Sequence, residues 1–157
     1  MAKKDSTLTS IRESSKSLFQ QRKLAKSFLS EGDAEFLLEM AKDGKLKIRV
    51  GQIWKVPERK GETCLQVDLD NCKAYSRGTI YARLRKAGVQ PLRICSRISP
   101  GGQGLHLLIW IKGTFGRYQR VCLQLLCESD PEREAQNFRR AGLAGKNWQE
   151  NWQVLFK

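Results

Sequence analysis

Apolar residues recur at spacings near three and four from Ser6 to Gly44, which is the period of an amphipathic helix. The residues of this pattern before the first turn signal are Leu8, Ile11, Leu18, Phe19, Leu24, Phe28 and Leu29. Asp33 then predicts the N-cap of a second helix, which carries Phe36, Leu37 and Met40 on one face and stops at Gly44. The sequence therefore predicts an N-terminal helical region over residues 1–44.

Beyond Gly44 the pattern changes to short apolar runs separated by turn residues. Lys45–Val56 alternates as a strand or hairpin does. The later predicted elements are strands at Thr63–Leu69, Pro91–Ile98, Leu105–Ile111 and Trp152–Phe156, and helices at Cys72–Ala87 and Phe115–Cys127. From Thr63 onward this is the βαββαβ order of an α+β, ferredoxin-like or RRM-like antiparallel sheet with helices on one face. We assign this domain to residues 45–157. The same order serves RNA-recognition modules and polymerase palms, so it does not separate a binder from an enzyme.

The chain is strongly basic, with 29 Lys and Arg residues against 16 Asp and Glu residues and a net charge of +13. A polyanion is the natural partner, since each neutralised phosphate releases counterions. A basic surface that serves only solubility, or one that binds acidic lipid, is the alternative. The sequence contains no apolar run of about 18 residues, so no membrane span is predicted.

The five cysteines show neither CxxC nor Cys/His metal spacing. They are predicted to be buried thiols of a reducing cytoplasm, where disulfides are rare. The N-terminus, MAKKDSTLTS, does not lead into the apolar stretch of a secretory signal. We therefore expect a cytoplasmic protein.

Asp68 and Asp70 flank Leu69 at the end of an apolar strand, where residues i and i+2 point to the same face. Two adjacent carboxylates repel each other unless a cation lies between them. Mg²⁺ or Mn²⁺ takes such oxygen ligands and shares them with substrate phosphates. The alternative is structural, because Asp70 before Asn71 is also typical of a helix cap.

A glycine-rich turn from Ser99 to Gly104 leads into the strand that begins with Leu105 and carries the only histidine, His106. Its backbone N–H groups can bind an anion, and a hydroxyl, an arginine and an imidazole can hold phosphate oxygens. The residues concerned are Arg97, Ser99, Gln103, Gly104 and His106. His106 is predicted to share a sheet face with Leu108 and Trp110, opposite the alternate Leu and Ile residues of the strand. A core histidine with its hydrogen bonds satisfied inside the protein is the alternative.

Asp130 precedes Pro131, and Arg139, Arg140 and Gly142 follow about one helix later. Asp before Pro is also an excellent helix start, so a pure capping role remains open for Asp130. Arginine pairs can hold phosphate, as Arg139 and Arg140 could here.

Together these motifs resemble the archaeo-eukaryotic primase and primase-polymerase superfamily, and within it the small plasmid- and virus-type replication primases. The matching segments are the strand ending in Asp68-Leu69-Asp70, the turn ending in Gly104-Leu105-His106, the acid Asp130, and Arg139-Arg140-Ala141-Gly142. They cover roughly residues 65–156, and their order and spacing carry the resemblance.

The resemblance implies that Asp68, Asp70 and Asp130 bind the catalytic Mg²⁺ or Mn²⁺, with Glu128 or Glu132 as alternatives for the third ligand. It implies that His106, with Ser99 and the glycine turn, holds the phosphates of a nucleoside triphosphate. Arg139 or Arg140 would contact nucleotide or template. The implied activity is primer synthesis on single-stranded DNA, and a cooperating helicase or replication initiator is left open. A non-catalytic RRM-like nucleic-acid-binding module is the alternative, although its usual exposed strand aromatics are replaced here by Asp and His.

Overall fold

The computed structural model describes residues 31–45, 47–49, 52–70, 76–99, 103–143 and 152–153. These residues form four helices and five strands. In chain order they are α1 (Glu31–Lys42), β1 (Lys47–Arg49), β2 (Gln52–Lys55), β3 (Glu62–Leu69), α2 (Arg77–Lys86), β4 (Pro91–Ile98), β5 (Leu105–Lys112), α3 (Arg117–Leu126) and α4 (Pro131–Leu143). The helix predicted between Ser6 and Leu29 lies outside the described residues.

The main sheet is antiparallel, with the strand order β3-β5-β4, and β1 and β2 form a separate two-stranded hairpin. The order strand, helix, strand, strand, helix confirms the predicted α+β class. The predicted closing strand is not confirmed: Trp152 and Gln153 are not in a strand, and residues 154–156 lie outside the described part. Among the described residues, no helix has the length and apolar character needed to cross a bilayer.

Alternation along β5 sends its side chains into two different cores. Leu105, Leu107, Ile109 and Ile111 pack with residues of α2 and with Leu123 of α3 on one face. Leu108 and Trp110 pack on the other face with residues of α1. The predicted division of β5 between two faces is therefore confirmed.

Helices lie on both faces of the sheet, because α1 covers part of the face opposite α2 and α3. Its Leu37 is fully buried, and its Phe36 meets Trp110 edge to face with ring centroids 5.6 Å apart. The expectation of helices on one face holds for α2 and α3 and fails for α1. An amphipathic helix buries its apolar stripe wherever an apolar surface is available, and this half of the sheet provides one.

Asp33 does not cap α1 as predicted, because the helix begins earlier, at Glu31. Its buried carboxylate instead forms an ion pair with Arg77 at the start of α2, and it accepts a 3.3 Å hydrogen bond from the Ser96 amide. Arg93 lies 3.8 Å away. The long-range partners explain why a local capping rule failed at this position.

The outer edge of β3, away from β5, is bonded by side chains and one amide of the α3–α4 segment. At Gln66, the amide donates to Gln124 Oε1 (3.0 Å) and the carbonyl accepts from Arg133 (2.8 Å). At Asp68, the amide donates to Ser129 Oγ (3.0 Å) and the carbonyl accepts from the Asp130 amide (2.7 Å). A fourth strand added at this edge would need the same backbone groups, so α3 and α4 occupy its place at these two residues.

Candidate functional site

Asp68, His106 and Arg97 lie side by side across the three strands of the main sheet. The β3–β5 register pairs Asp68 with His106, and the β4–β5 register pairs Arg97 with the same histidine. Residues directly opposite each other on antiparallel strands share a face, so their side chains meet. The sheet therefore forms a cross-strand row of an acid, an imidazole and a guanidinium, which we call the Asp68–His106–Arg97 row.

The hydrogen bond from Arg97 selects the tautomer of the histidine. Arg97 Nε donates to His106 Nδ1 at 3.2 Å, so Nδ1 must carry a lone pair. The proton of the neutral imidazole is then on Nε2, which lies 3.6 Å from Asp68 Oδ1. That distance is longer than a hydrogen bond but leaves the N–H beside the carboxylate.

All three side chains of the row are buried, with relative exposures of 6% for Asp68, 1% for His106 and 3% for Arg97. Burial lowers the pKa of Arg97 to about 10, and the negative charge of Asp68 acts against this shift. Arg97 is therefore still a cation at neutral pH and faces the carboxylate of Asp68 across the imidazole. In this position His106 contacts protein groups rather than solvent.

Asp130 lies next to Asp68 through the main chain, because its amide donates to the Asp68 carbonyl at 2.7 Å. Its carboxylate accepts from the amides of Glu132 (3.0 Å) and Arg133 (3.3 Å), which is the geometry of an N-cap on α4. The capping role that the sequence left open is therefore present. The contact of Asp130 with β3 is made by its main chain, and its carboxylate is used in the cap.

A buried polar network behind this contact was missed in the sequence analysis. Glu134 accepts from Ser129 Oγ (2.7 Å) and Arg133 (2.8 Å) at one oxygen, and from Gln124 (2.7 Å) and Asn137 (3.0 Å) at the other. Burial lowers the pKa of Arg133, and the negative charge of Glu134 opposes this shift without reversing it.

This network fixes the three side chains that bond the edge of β3, and so it sets the position of Asp68. The signal in the sequence was the run from Gln124 to Asn137, in which polar residues outnumber apolar ones even though it follows an amphipathic helix. Polar residues of that kind are normally assigned to a solvent-facing surface. Five residues of this run are instead buried, namely Gln124, Ser129, Arg133, Glu134 and Asn137.

The described part of the glycine turn closes the β4–β5 hairpin. The Ser99 amide donates to the Gly104 carbonyl (2.9 Å), and the Gly104 amide donates to Ser99 Oγ (3.1 Å). A Cβ atom on Gly104 would lie 2.5 Å from the Leu69 carbonyl oxygen, so only glycine lets the hairpin approach the end of β3 this closely. Gln103 is exposed, and residues 100–102 lie outside the described part.

The remaining predicted site residues lie at the surface or away from the row. Asp70 is exposed directly after β3, and residues 71–75 lie outside the described part. Arg139 is exposed on α4, while Arg140 is half-buried and donates to the Gln153 carbonyl at 3.5 Å. Arg139 lies nine residues after Asp130, which is about 13 Å along a helix.

The three predicted metal ligands do not form a preformed cage. Among the residues that the structure describes, no three His, Cys, Asp or Glu side chains are grouped closely enough to hold a metal ion. No family model matches the chain, and no curated protein or solved structure is significantly similar to it.

A cavity of about 620 Å³ lies on the α1 side of the sheet, away from the row. Its lining combines Phe36, Met40, Pro57, Leu92 and Trp110 with four acids (Glu39, Asp43, Glu58 and Glu62) and three cations (Lys45, Arg59 and Arg93). A polyphosphate would meet an excess of negative charge there, so we do not assign nucleotide binding to this cavity.

Proposed function

We propose that this protein is a nucleotidyltransferase of the primase or primase-polymerase type, which extends short primers on single-stranded DNA for a plasmid, virus or mobile element. The observation that carries the proposal is the convergence of three sequence-distant motifs at the end of β3. The row joins Asp68 to His106, Gly104 packs against Leu69, and Asp130 bonds to the Asp68 backbone.

The metal enters this proposal together with the nucleotide. Mg²⁺ is commonly held by one or two carboxylates plus substrate phosphates and waters rather than by an all-protein cage. Asp68 and the exposed Asp70 would provide two such carboxylates, while Asp130 is bonded to Asp68 through its main-chain amide and uses its own carboxylate to cap α4. A bound Mg²⁺ or Mn²⁺ neutralises charge on the transferring phosphoryl group.

His106 has a different role in this proposal from that implied by the family resemblance. Its imidazole is almost fully buried between Asp68 and Arg97, so it orients the Asp68 carboxylate instead of reaching a phosphate. The Ser99–Gly104 closure of the hairpin holds the same strand end. The residues that bind the triphosphate then belong to the more exposed surroundings of Asp70.

The test is incorporation of labelled nucleotides on single-stranded DNA in the presence of Mg²⁺ or Mn²⁺. Asp70→Ala is the informative variant, because Asp70 is exposed and its loss leaves the core intact. We expect incorporation to fall at least about a hundredfold, as loss of a group that stabilises transition-state charge does. Asp43→Ala, an exposed acid beyond α1, serves as the matched control and should keep full activity.

Equal incorporation by Asp70→Ala and Asp43→Ala would show that the proposal is wrong. A non-catalytic nucleic-acid-binding module would then be the better description. One observation favours that second candidate: no group of three acids, histidines or cysteines suited to a metal exists among the described residues. It predicts salt-sensitive DNA binding that neither Mg²⁺ nor the Asp70→Ala change affects.

A further inference from the structure

Two aromatic side chains lie exposed next to each other on the outer surface of α3 and α4. Tyr118 is 49% exposed and Phe138 is 55% exposed, and their ring centroids are 4.9 Å apart at an interplanar angle of 54°. We call them the Tyr118–Phe138 pair. An exposed aromatic pair of this kind is typical of an interaction surface rather than of a core.

Helix α4 buries several polar side chains and exposes two large apolar ones. Arg133, Glu134 and Asn137 are buried, while Phe138 and Leu143 face outward. Packing energy alone would place the aromatic ring inside and the charged side chains outside. The inner side of α4 forms the polar network at the edge of β3, and Phe138 lies on its outer side, exposed to solvent.

The charged residues of α3, and those of α4 from Ala135 onward, are all cations. Helix α3 contains no acid, and α4 contains none from Ala135 to its end at Leu143. The cations in these segments are Arg117, Arg120, Arg139 and Arg140. Arg120 is used in an ion pair with Glu58, whereas Arg139 is exposed beside Phe138.

We propose that the Tyr118–Phe138 pair is a stacking platform for the bases of single-stranded nucleic acid. Aromatic faces accept any base, and neighbouring arginines neutralise the phosphates between them. A second copy of this chain fits the surface less well, because symmetric pairing would bring the same cations together on molecules that each carry a net charge of +13.

The platform extends the proposed function by supplying its template contact, although binding can be measured without any catalysis. Phe138 lies eight residues after Asp130 on α4, about 12 Å along the helix axis. A strand stacked on the pair therefore has to extend along α4 to reach the end of β3. Template binding and chemistry thus use separate residues, and their failures can be told apart.

The experiment compares the affinity of the protein for a thymidine strand and for an abasic strand of equal length and charge, by fluorescence anisotropy. The wild-type protein should bind the thymidine strand at least about fivefold more tightly, since stacking one base contributes about 1–3 kcal/mol and each 1.4 kcal/mol is tenfold. In Tyr118→Ala/Phe138→Ala this ratio should fall to near one, with the salt dependence of binding unchanged.

Two matched variants complete the test. Tyr118→Phe/Phe138→Tyr keeps both ring faces and should keep the wild-type ratio, and it remains informative if the double alanine variant fails to fold. Leu92→Ala removes another exposed apolar side chain, from β4, and should also leave the ratio unchanged. An unchanged ratio in the folded double alanine variant, or loss of a dimer without loss of DNA affinity, would overturn the proposal. Asp70→Ala is expected to retain the full ratio, whatever its effect on nucleotide incorporation.

Discussion

Glu134 is a buried acidic residue whose carboxylate is surrounded by hydrogen-bond donors. It is fully buried, and its two carboxylate oxygens accept four hydrogen bonds, from Ser129, Arg133, Gln124 and Asn137. An ionised carboxylate is the side chain that matches four donors with four acceptor sites. The charge also offsets the buried guanidinium of Arg133.

We expect Glu134→Gln to destabilise the protein by about 3–5 kcal/mol, because an amide places a donor opposite donors and removes the negative charge bonded to the buried guanidinium of Arg133. Urea unfolding followed by circular dichroism measures the change. Glu132→Gln, in the first turn of α4 on its exposed side, should change the unfolding free energy by less than about 0.5 kcal/mol. Similar effects for the two variants would contradict the ionised state assigned to Glu134.

At the scale of elements, α1 is attached to the sheet by an apolar and a polar contact. The apolar contact is made by Leu37 and Phe36 against Trp110 and its neighbours. The polar contact is Asp33, which joins α1 to Arg77 of α2 and to the Ser96 amide of β4. One carboxylate thus ties three elements together.

Asp33→Asn keeps the size of this side chain and removes its charge, so both partners lose a charged acceptor. We expect a loss of about 1–3 kcal/mol in the free energy of unfolding. The control is Asp43→Asn, whose exposed carboxylate lies 3.5 Å from Lys45, because an exposed ion pair contributes about 1 kcal/mol or less. If Asp33→Asn is no more destabilising than this control, the carboxylate does not hold the three elements together.

The elements that the sequence predicted well are those whose pattern is decided locally. The alternation of β5 assigned both faces of that strand and placed His106 with Leu108 and Trp110, since strand periodicity depends only on the backbone. Asp33 was misassigned because its partners are 44 and 63 residues away in sequence. The inward-facing Glu134 could not be found from periodicity, because a buried polar residue and an exposed one have the same pattern until their partners are known.

The same distinction applies to the candidate site. The sequence identified Asp68, His106 and Asp130, and the structure places the three at one end of the sheet. It left open whether His106 is buried, and it did not reveal that Gly104 is required by the approach of the Leu69 carbonyl. Burial and close approach are products of tertiary packing, which a linear motif does not contain.

At the scale of the whole molecule, the buried thiols make the free energy of unfolding depend on pH in the alkaline range. Cys64, Cys95 and Cys127 are buried, while Cys122 is exposed and so departs from the prediction of buried thiols; Cys72 lies outside the described residues. Burial raises the pKa of Cys95 to about 11 and that of Cys127 to about 12, and it raises the pKa of Cys64 as well.

In the unfolded chain these thiols lose their protons near pH 9, the ordinary value, whereas in the folded protein Cys95 retains its proton until about pH 11 and Cys127 until about pH 12. Proton loss therefore favours the unfolded state across this window. The stability contribution of the thiols is complete below pH 9 and declines as the pH rises, by about 1.4 kcal/mol per thiol and pH unit at most.

Unfolding by urea between pH 8 and 11 measures this decline. Cys127→Ala should flatten the pH dependence, even though it lowers stability at neutral pH by leaving a small cavity. Cys122→Ser, at an exposed position, should follow the wild-type curve. If Cys127→Ala and the wild-type protein have parallel curves, the Cys127 thiol does not contribute to the alkaline decline.

The bonded outer edge of β3 has a consequence for how this molecule meets other polypeptides. An open sheet edge has a row of unpaired amides and carbonyls to which a strand of another molecule can bind. Such pairing between molecules can begin fibrous aggregation. Here the backbone amides and carbonyls of Gln66 and Asp68 are already hydrogen-bonded to Gln124, Arg133, Ser129 and Asp130. A strand from a neighbouring molecule would have to displace a charged helix before it could dock, so concentrated solutions of the protein should resist intermolecular β-assembly on this side.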